Sequence, residues 1–449
     1  MDIGLLSPVS VGHDDAVSDS AVLDALVTAE IALVRAWSAV GLADAADADA
    51  ASRALGWAGS TTGCRAHGLD ADALAVAAVA GGNPVIPLVA LVRDRVPETA
   101  RRWVHRGATS QDILDSALML VAHRAGSVIR ERLRGVETAL TALARERRDE
   151  VAAARTLTQH AVPTTIGLRA ANWLRGVRRA IERVDAAVAA LPAQLGGAGG
   201  TLASFVEIAS LEGHAAAASE LSAAFAAELG LAAPDAPWHT TRWPVTELGD
   251  AVVQAIDALG VLASDVATLS RTEIGELSEG SGGGSSAMPQ KQNPVDSVLI
   301  RSAALRAPNL GATLHLAAAL AVDERPDGAW HAEWPTFREL LRLALGASAH
   351  AVSLVQGLAV DSDAVARNLA LTNGLIVSER LAIVLGPLIG RDEVSAVVAA
   401  GDGLGAALRA LPQLDGVDVD ALLDPAGYTG LAGALVDDAT RPETGADDA

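Results

Sequence analysis

A chain of 449 residues exceeds what one hydrophobic core commonly serves, so two or three sub-domains are expected. Half the residues are apolar but only 3% are aromatic, a balance that suits close helix–helix packing better than a β-sandwich. The formal net charge of −21 argues against nucleic acid or an anionic membrane surface as partner, and the single cysteine, Cys64, leaves neither an intramolecular disulfide nor a Cys-based metal cluster.

The start, Met1-Asp2-Ile3-Gly4, lacks a basic n-region, and scattered charges interrupt every long apolar run. A cytoplasmic protein without a membrane span is expected. The ten histidines show no HExxH or other short ligand spacing, so neither a metal site nor a cofactor is expected.

The first helix is predicted over 19–42, capped by Asp19 or Ser20, with Val22, Leu23, Leu26, Val27, Ile31, Leu33 and Val34 forming its apolar stripe. Shorter helices follow at about 70–80 and 84–96, the second starting at Asn83-Pro84. From Gln111 to about Arg148 there is no proline, and the only glycines are Gly126 and Gly135. One helix there would run roughly 50 Å at ~1.5 Å per residue. Further long helices read at 163–190, 245–275, 294–321 and 331–358, and no run shows sustained β alternation.

These elements predict an all-α fold built on a long-helix bundle that other subunits complete. The expected divisions are an N-terminal helical domain over 1–110, the central bundle over 111–358 with a loop at 280–294, and a C-terminal helical domain over 359–436. Residues 437–449 form an acidic tail expected to be disordered.

Lys291 is the single lysine among 34 cationic side chains. Everywhere else the chain uses arginine, although a compact ammonium and a planar guanidinium are not equivalent. Lys291 lies in Gly284-Ser285-Ser286-Ala287-Met288-Pro289-Gln290-Lys291-Gln292-Asn293-Pro294, downstream of a glycine run. Asn293, Pro294 and Asp296 read as the N-cap, first and third positions of a helix. A mobile loop feeding a helix N-terminus would present free N–H groups and a partial positive charge. With Lys291, the Asn293 amide and the hydroxyls of Ser285 and Ser286, it would cradle an anion. Proton transfer beside a carboxylate needs such a cradle, because its intermediate is a doubly charged aci-carboxylate.

This loop resembles the signature loop of the fumarase/aspartase superfamily, whose fixed elements are matched at Gly284, Ser285, Met288, Lys291 and Asn293. Two earlier stretches resemble the superfamily's other regions. In His105-Arg106-Gly107-Ala108-Thr109-Ser110-Gln111-Asp112, hydroxyls and backbone would hold a substrate carboxylate. The second runs from Arg155 through Thr156, Leu157, Thr158, Gln159 and His160 to Thr165. In the lyases acting on purine and argininosuccinate substrates, a catalytic histidine directly follows the threonine matched by Thr156. Leu157 stands here instead, as an apolar residue does in the 3-carboxy-cis,cis-muconate cycloisomerases. The resemblance spans roughly residues 5–390 and departs at Gln290 and Gln292, where bacterial cycloisomerases usually carry His and Arg around the lysine.

The resemblance implies lactonisation of 3-carboxymuconate in aromatic catabolism, with an adenylosuccinate-lyase-like or other C–N or C–O lyase as the alternative. Ser285 would handle the proton, while Lys291 and Asn293 hold the carboxylate whose charge grows. Thr109, Ser110 and Gln159 would position the substrate, with His105, Ser286 and Met288 beside them. Arg106 and Arg325 are candidates for the remaining carboxylates, each equally open to an ion pair with Asp or Glu. His160 is open between a proton relay and a structural cap. The partner implied is a small polycarboxylate, bound by a homotetramer whose sites are shared between subunits.

Overall fold

The computed structural model describes residues 4–280, 283–284, 288, 290–399 and 403–441. The chain is mainly helical, with 66% helix against 5% strand. Predicted helices form at Asp19–Ala39, Ala71–Gly81, Val85–Arg95, Ser110–Glu146, Ile166–Ala189, Trp243–Leu269, Val295–Ala319 and Gly328–Gly357. The cap of the first is Ser18, one residue before the expected pair, and its side chain accepts the Ala21 N–H at 3.2 Å. Asn83 starts its helix through its side chain, which accepts the Val85 N–H at 3.1 Å.

The chain divides into two compact units, and each boundary falls inside one of the five long helices. The first comprises Met1–Arg132, Ala180–Asp257 and Ser302–Ala349; the second comprises Leu133–Arg179, Ala258–Arg301 and His350–Ala449. In the first unit the helix Asp19–Ala39 is buried on nearly all sides from Ala25 to Trp37. A helix apolar all round belongs in a core. Trp37 packs between Trp103 and Phe205, with ring centroids 5.7 and 5.9 Å away.

In the second unit, Val377, Leu381, Leu385, Val394, Leu404 and Leu408 form a core against which the short C-terminal helices close. The last helix, Ala432–Ala439, runs three residues into the stretch expected as a tail. Its Asp437 is held by both arms of Arg148 at 2.7 Å, a geometry that suits a planar guanidinium. Residues 442–449 lie outside the described residues.

Among the described residues two antiparallel strand pairs depart from the expectation of no β structure, the short Leu277–Ser278 with Ala359–Val360 and a longer hairpin. Strands β1 (Val151–Thr156) and β2 (Gln159–Thr165) pair as an antiparallel hairpin. The alanine-rich β1 carries no alternation, and a bulge between Ala153 and Arg155 breaks the register, so no period of two was visible. The turn residues Leu157 and Thr158 both take positive φ, 49° and 71°. That is the backbone of a tight two-residue hairpin turn, which ordinarily selects Asn-Gly. For side chains with a Cβ it costs roughly 1–2 kcal/mol per residue.

Candidate active site

In the first unit the segment 105–112 is fixed from below by tryptophan. Trp37 donates its indole N–H to the Arg106 carbonyl at 3.2 Å, and Gly107 packs so close to Phe205 that a Cβ would stand 2.8 Å from its ring. His105 sits at φ 58°, and its Nδ1 is 2.8 Å from a carboxylate oxygen of Glu30. Glu30 is fully buried and its second oxygen has no partner. Burial alone would lower the His105 pKa. The charge and hydrogen bond of Glu30 outweigh it, Asp112 adds to them, Arg93 opposes, and the net displacement is upward.

Arg106 reaches Glu212 at 2.9 Å and stacks over Trp103, 4.5 Å from the ring centroid. Arg325 donates to the Thr109 hydroxyl and lies 3.5 Å from the Ala198 carbonyl. Thr109 and Ser110 open the long helix, and the Asp112 carboxylate accepts the Thr109 N–H at 3.0 Å, satisfying a donor at the helix start. The buried Asp112 also accepts the Gly196 and Gly197 N–H groups at 2.8 and 3.0 Å and approaches His239 Nε2 at 2.9 Å. One carboxylate thereby ties the start of the helix to the glycine-rich 196–200 segment and to His239. Arg242 lies between Asp115 (2.6 Å) and Glu333 (3.0 Å), with Trp330 donating to Asp115 at 2.9 Å. Trp330 is core, and Trp334 meets it edge-on at 4.6 Å.

In the second unit, the loop of Lys291 is closed at its base by a two-bond bridge. Gly283 and Asn293 exchange both backbone hydrogen bonds at 2.9 Å. Only glycine fits at 283, since a Cβ would lie 2.2 Å from Val295. Lys291 is exposed, and its N–H bonds the Met288 carbonyl at 3.0 Å. Ser285 and Ser286 lie outside the described residues.

The helix start after Asn293 differs from the expectation in one respect. Glu279 accepts the Asp296 and Ser297 N–H groups at 3.1 and 2.8 Å, so two of the amides expected to be free for an anion are already taken. A carboxylate just before a glycine run was visible in the sequence, but nothing local showed that the chain turns back there. Asp296 in turn is held by His350 at 2.7 Å.

The hairpin puts the two candidate residues of its region, Gln159 and His160, on opposite faces. Thr156 pairs with Gln159 and Arg155 with His160, so the pleat puts Arg155 and His160 on one face and Thr156 and Gln159 on the other. The first face rests on the buried Glu276, which accepts Arg155 through both oxygens, the longer contact being 3.1 Å, and Asn368 at 2.9 Å. Burial pushes the Glu276 carboxyl up. The bonds from Arg155 and Asn368, with the charges of Arg155 and Arg169, pull it down further, and the net direction is down. Burial and then Arg155 depress the His160 pKa against a weaker pull from Glu276. Gln159 and the turn residue Leu157 are exposed, Leu157 at 96%. Sequence reasoning missed Glu30, Glu276 and Glu279, each bonded to residues 17 to 121 positions away.

Residues 18–308 match the lyase family. The chain is 47% identical to a nitrosuccinate lyase of Streptomyces davaonensis, over 97% of this chain and 94% of that protein. It is 38% identical to a 3-carboxy-cis,cis-muconate cycloisomerase of Pseudomonas aeruginosa, over 94% and 92%. Among solved structures, the 3-carboxy-cis,cis-muconate lactonizing enzyme of Pseudomonas putida superposes with a TM-score of 0.85 at 33% identity, covering 97% and 98% of the two chains. With the loop, the helical fold and these similarities together, the chain belongs to the lyase family of the fumarase/aspartase superfamily and is an enzyme of the lyase and cycloisomerase type.

Proposed function

We propose that this enzyme eliminates a stable anion from a succinate-type dicarboxylate and releases fumarate, with nitrite leaving a nitrosuccinate as the leading case. A base takes a proton from the carbon beside one carboxylate, and the C–H electron pair forms the C=C bond. The C–N bond breaks and its electrons leave with nitrite. By resemblance Ser285 is the base, and Lys291 with Asn293 holds the carboxylate as its charge grows. A bare serine is a weak base, so loop closure and exclusion of water are part of the mechanism.

The observation that carries this reading is Leu157. The hairpin presents an exposed apolar side chain directly after Thr156, where lyases with basic leaving groups carry a histidine acid. Nitrous acid is strong enough that nitrite departs as the ion at neutral pH and needs no such acid. The relative at 47% identity supports the same choice.

Ring closure of 3-carboxymuconate is the second reading. Its nucleophile is an ionised carboxylate held within the substrate, so it also dispenses with an acid at 157. The solved relative at TM-score 0.85 favours it. Gln290 and Gln292 weigh for the dicarboxylate, since a tricarboxylate gains more from flanking cations. In either case the working unit is a cytoplasmic homotetramer with sites shared between subunits.

The test is a side-by-side assay of purified protein with nitrosuccinate, 3-carboxymuconate, adenylosuccinate and argininosuccinate. Equimolar fumarate and nitrite from nitrosuccinate, faster than any other turnover, is the expected result. Faster consumption of 3-carboxymuconate would move the enzyme to the cycloisomerase branch. Fumarate from either succinyl substrate as the fastest reaction would overturn both readings.

A further inference from the structure

A residue with a Cβ enters the left-handed backbone region only at a cost that glycine does not incur. Among the described residues six non-glycines adopt it: His105, Leu157, Thr158, Leu202, Asp323 and Asn373. Asn and Asp enter that region readily, whereas a β-branched side chain there is an outlier. Thr158, at φ 71°, is the one β-branched residue of the six.

Packing does not account for this choice. Leu157 is 96% exposed and Thr158 is exposed, so the core needs neither side chain. An Asn-Gly pair would form the same two-residue turn without the cost. Backbone strain of this kind persists where the side chain that causes it has a task, and it clusters at active sites. His105, in the first of the matched regions, is held at φ 58° in the same way.

The Thr158 hydroxyl has a defined neighbour. Gln159 donates its side-chain amide to Thr158 Oγ1 at 3.5 Å, which occupies a lone pair and leaves the O–H to donate elsewhere. The turn is closed by the Thr156–Gln159 pair, so Thr158 has little backbone freedom to lose when a ligand arrives.

We propose that Thr158 is a further substrate-binding residue, whose hydroxyl donates a hydrogen bond to an oxygen of the group bound beside Leu157. The inference rests on the elimination described above, in which that group is the nitro group and the bond strengthens as charge passes to nitrite. The proton stays on Thr158 throughout. The residue stabilises the departing anion without acting as an acid, which matches a leaving group that needs none.

The experiment compares Thr158→Gly, Thr158→Val and Thr158→Ser by steady-state kinetics and by hydrogen exchange. Thr158→Gly should raise the protection of the β1–β2 amides roughly fivefold, because the strained Cβ is gone, yet lower kcat/KM about tenfold or more. Thr158→Val, close in shape but without the hydroxyl, should lose as much kcat/KM with no gain in protection. Thr158→Ser should return kcat/KM to within about threefold of wild type, since it restores the donor. Wild-type kcat/KM in the glycine or valine variant would overturn the proposal, and so would a serine variant as poor as valine. Unchanged protection in Thr158→Gly would remove the strain argument and overturn it as well. The ratios are measured on whichever of nitrosuccinate and 3-carboxymuconate the wild-type enzyme turns over faster. Failure of the nitrosuccinate reading therefore shows in the wild type, and failure of the Thr158 role shows only in the variants.

Discussion

Glu279 accepts the backbone N–H of Ser297 at 2.8 Å, and the same carboxylate takes the Asp296 N–H at 3.1 Å. A side chain upstream of the signature loop therefore caps the helix downstream of it and ties the loop's two ends together. Replacing a helix cap with alanine costs about 1 kcal/mol. Glu279→Ala should accordingly speed hydrogen exchange at Asp296 and Ser297 several-fold and lower turnover, while distant amides keep their protection. Unchanged exchange at those two amides would show the cap to be energetically idle.

Ser285→Ala should remove nearly all turnover and leave the helical fold intact by circular dichroism. Retention of more than about a tenth of the wild-type rate would limit the lost barrier stabilisation to under ~1.4 kcal/mol, too little for the proton-transfer group.

Lys291→Arg should fail even though it keeps the charge. The chain uses arginine for every other cation, and Lys291 is exposed, so no packing argument explains why lysine persists there. The measurement is kcat and KM for Lys291→Arg beside Lys291→Ala. Wild-type activity in the arginine variant would make the lone lysine an accident of composition.

His105 should set an alkaline limit on substrate binding. Its folded pKa is raised above the ordinary value of about 6.5 by the Glu30 charge and bond, which outweigh burial. The imidazolium's contribution to stability is therefore full below the ordinary value and is lost as pH rises through the folded one. Carboxylate binding by the cation follows the same sign. With Nδ1 engaged by Glu30, Nε2 is the atom left for substrate. Glu30→Gln, nearly isosteric in its buried position, should shift the alkaline rise of KM to lower pH and leave kcat nearly flat. A pH profile of kcat/KM unmoved by that substitution would remove His105 from the binding role.

The proposed shared-site tetramer predicts intersubunit complementation. Ser285→Ala and Gln159→Ala should each be inactive alone and recover partial activity when mixed, because hybrids contain some sites with both native residues. A monomer in sedimentation, or no recovery after verified subunit exchange, would count against a shared site.

What the chain determined by itself was local. Missing prolines from Gln111 to Arg148 marked one uninterrupted helix, the Asn83 side chain started another, and the lone lysine marked the loop. Apolar spacing and start signals act within one or two turns of chain, so they survive reading in one dimension. The hairpin escaped because its alanines carry no alternation, and only pairing with β2 separated His160 from Gln159. The carboxylate partners were equally invisible. Glu30 lies 75 residues from His105, Glu276 lies 121 from Arg155, and Asp112 gathers His239 from 127 away. A buried carboxylate persists where the fold brings donors to it, and that meeting is a property of packing rather than of any local run of residues.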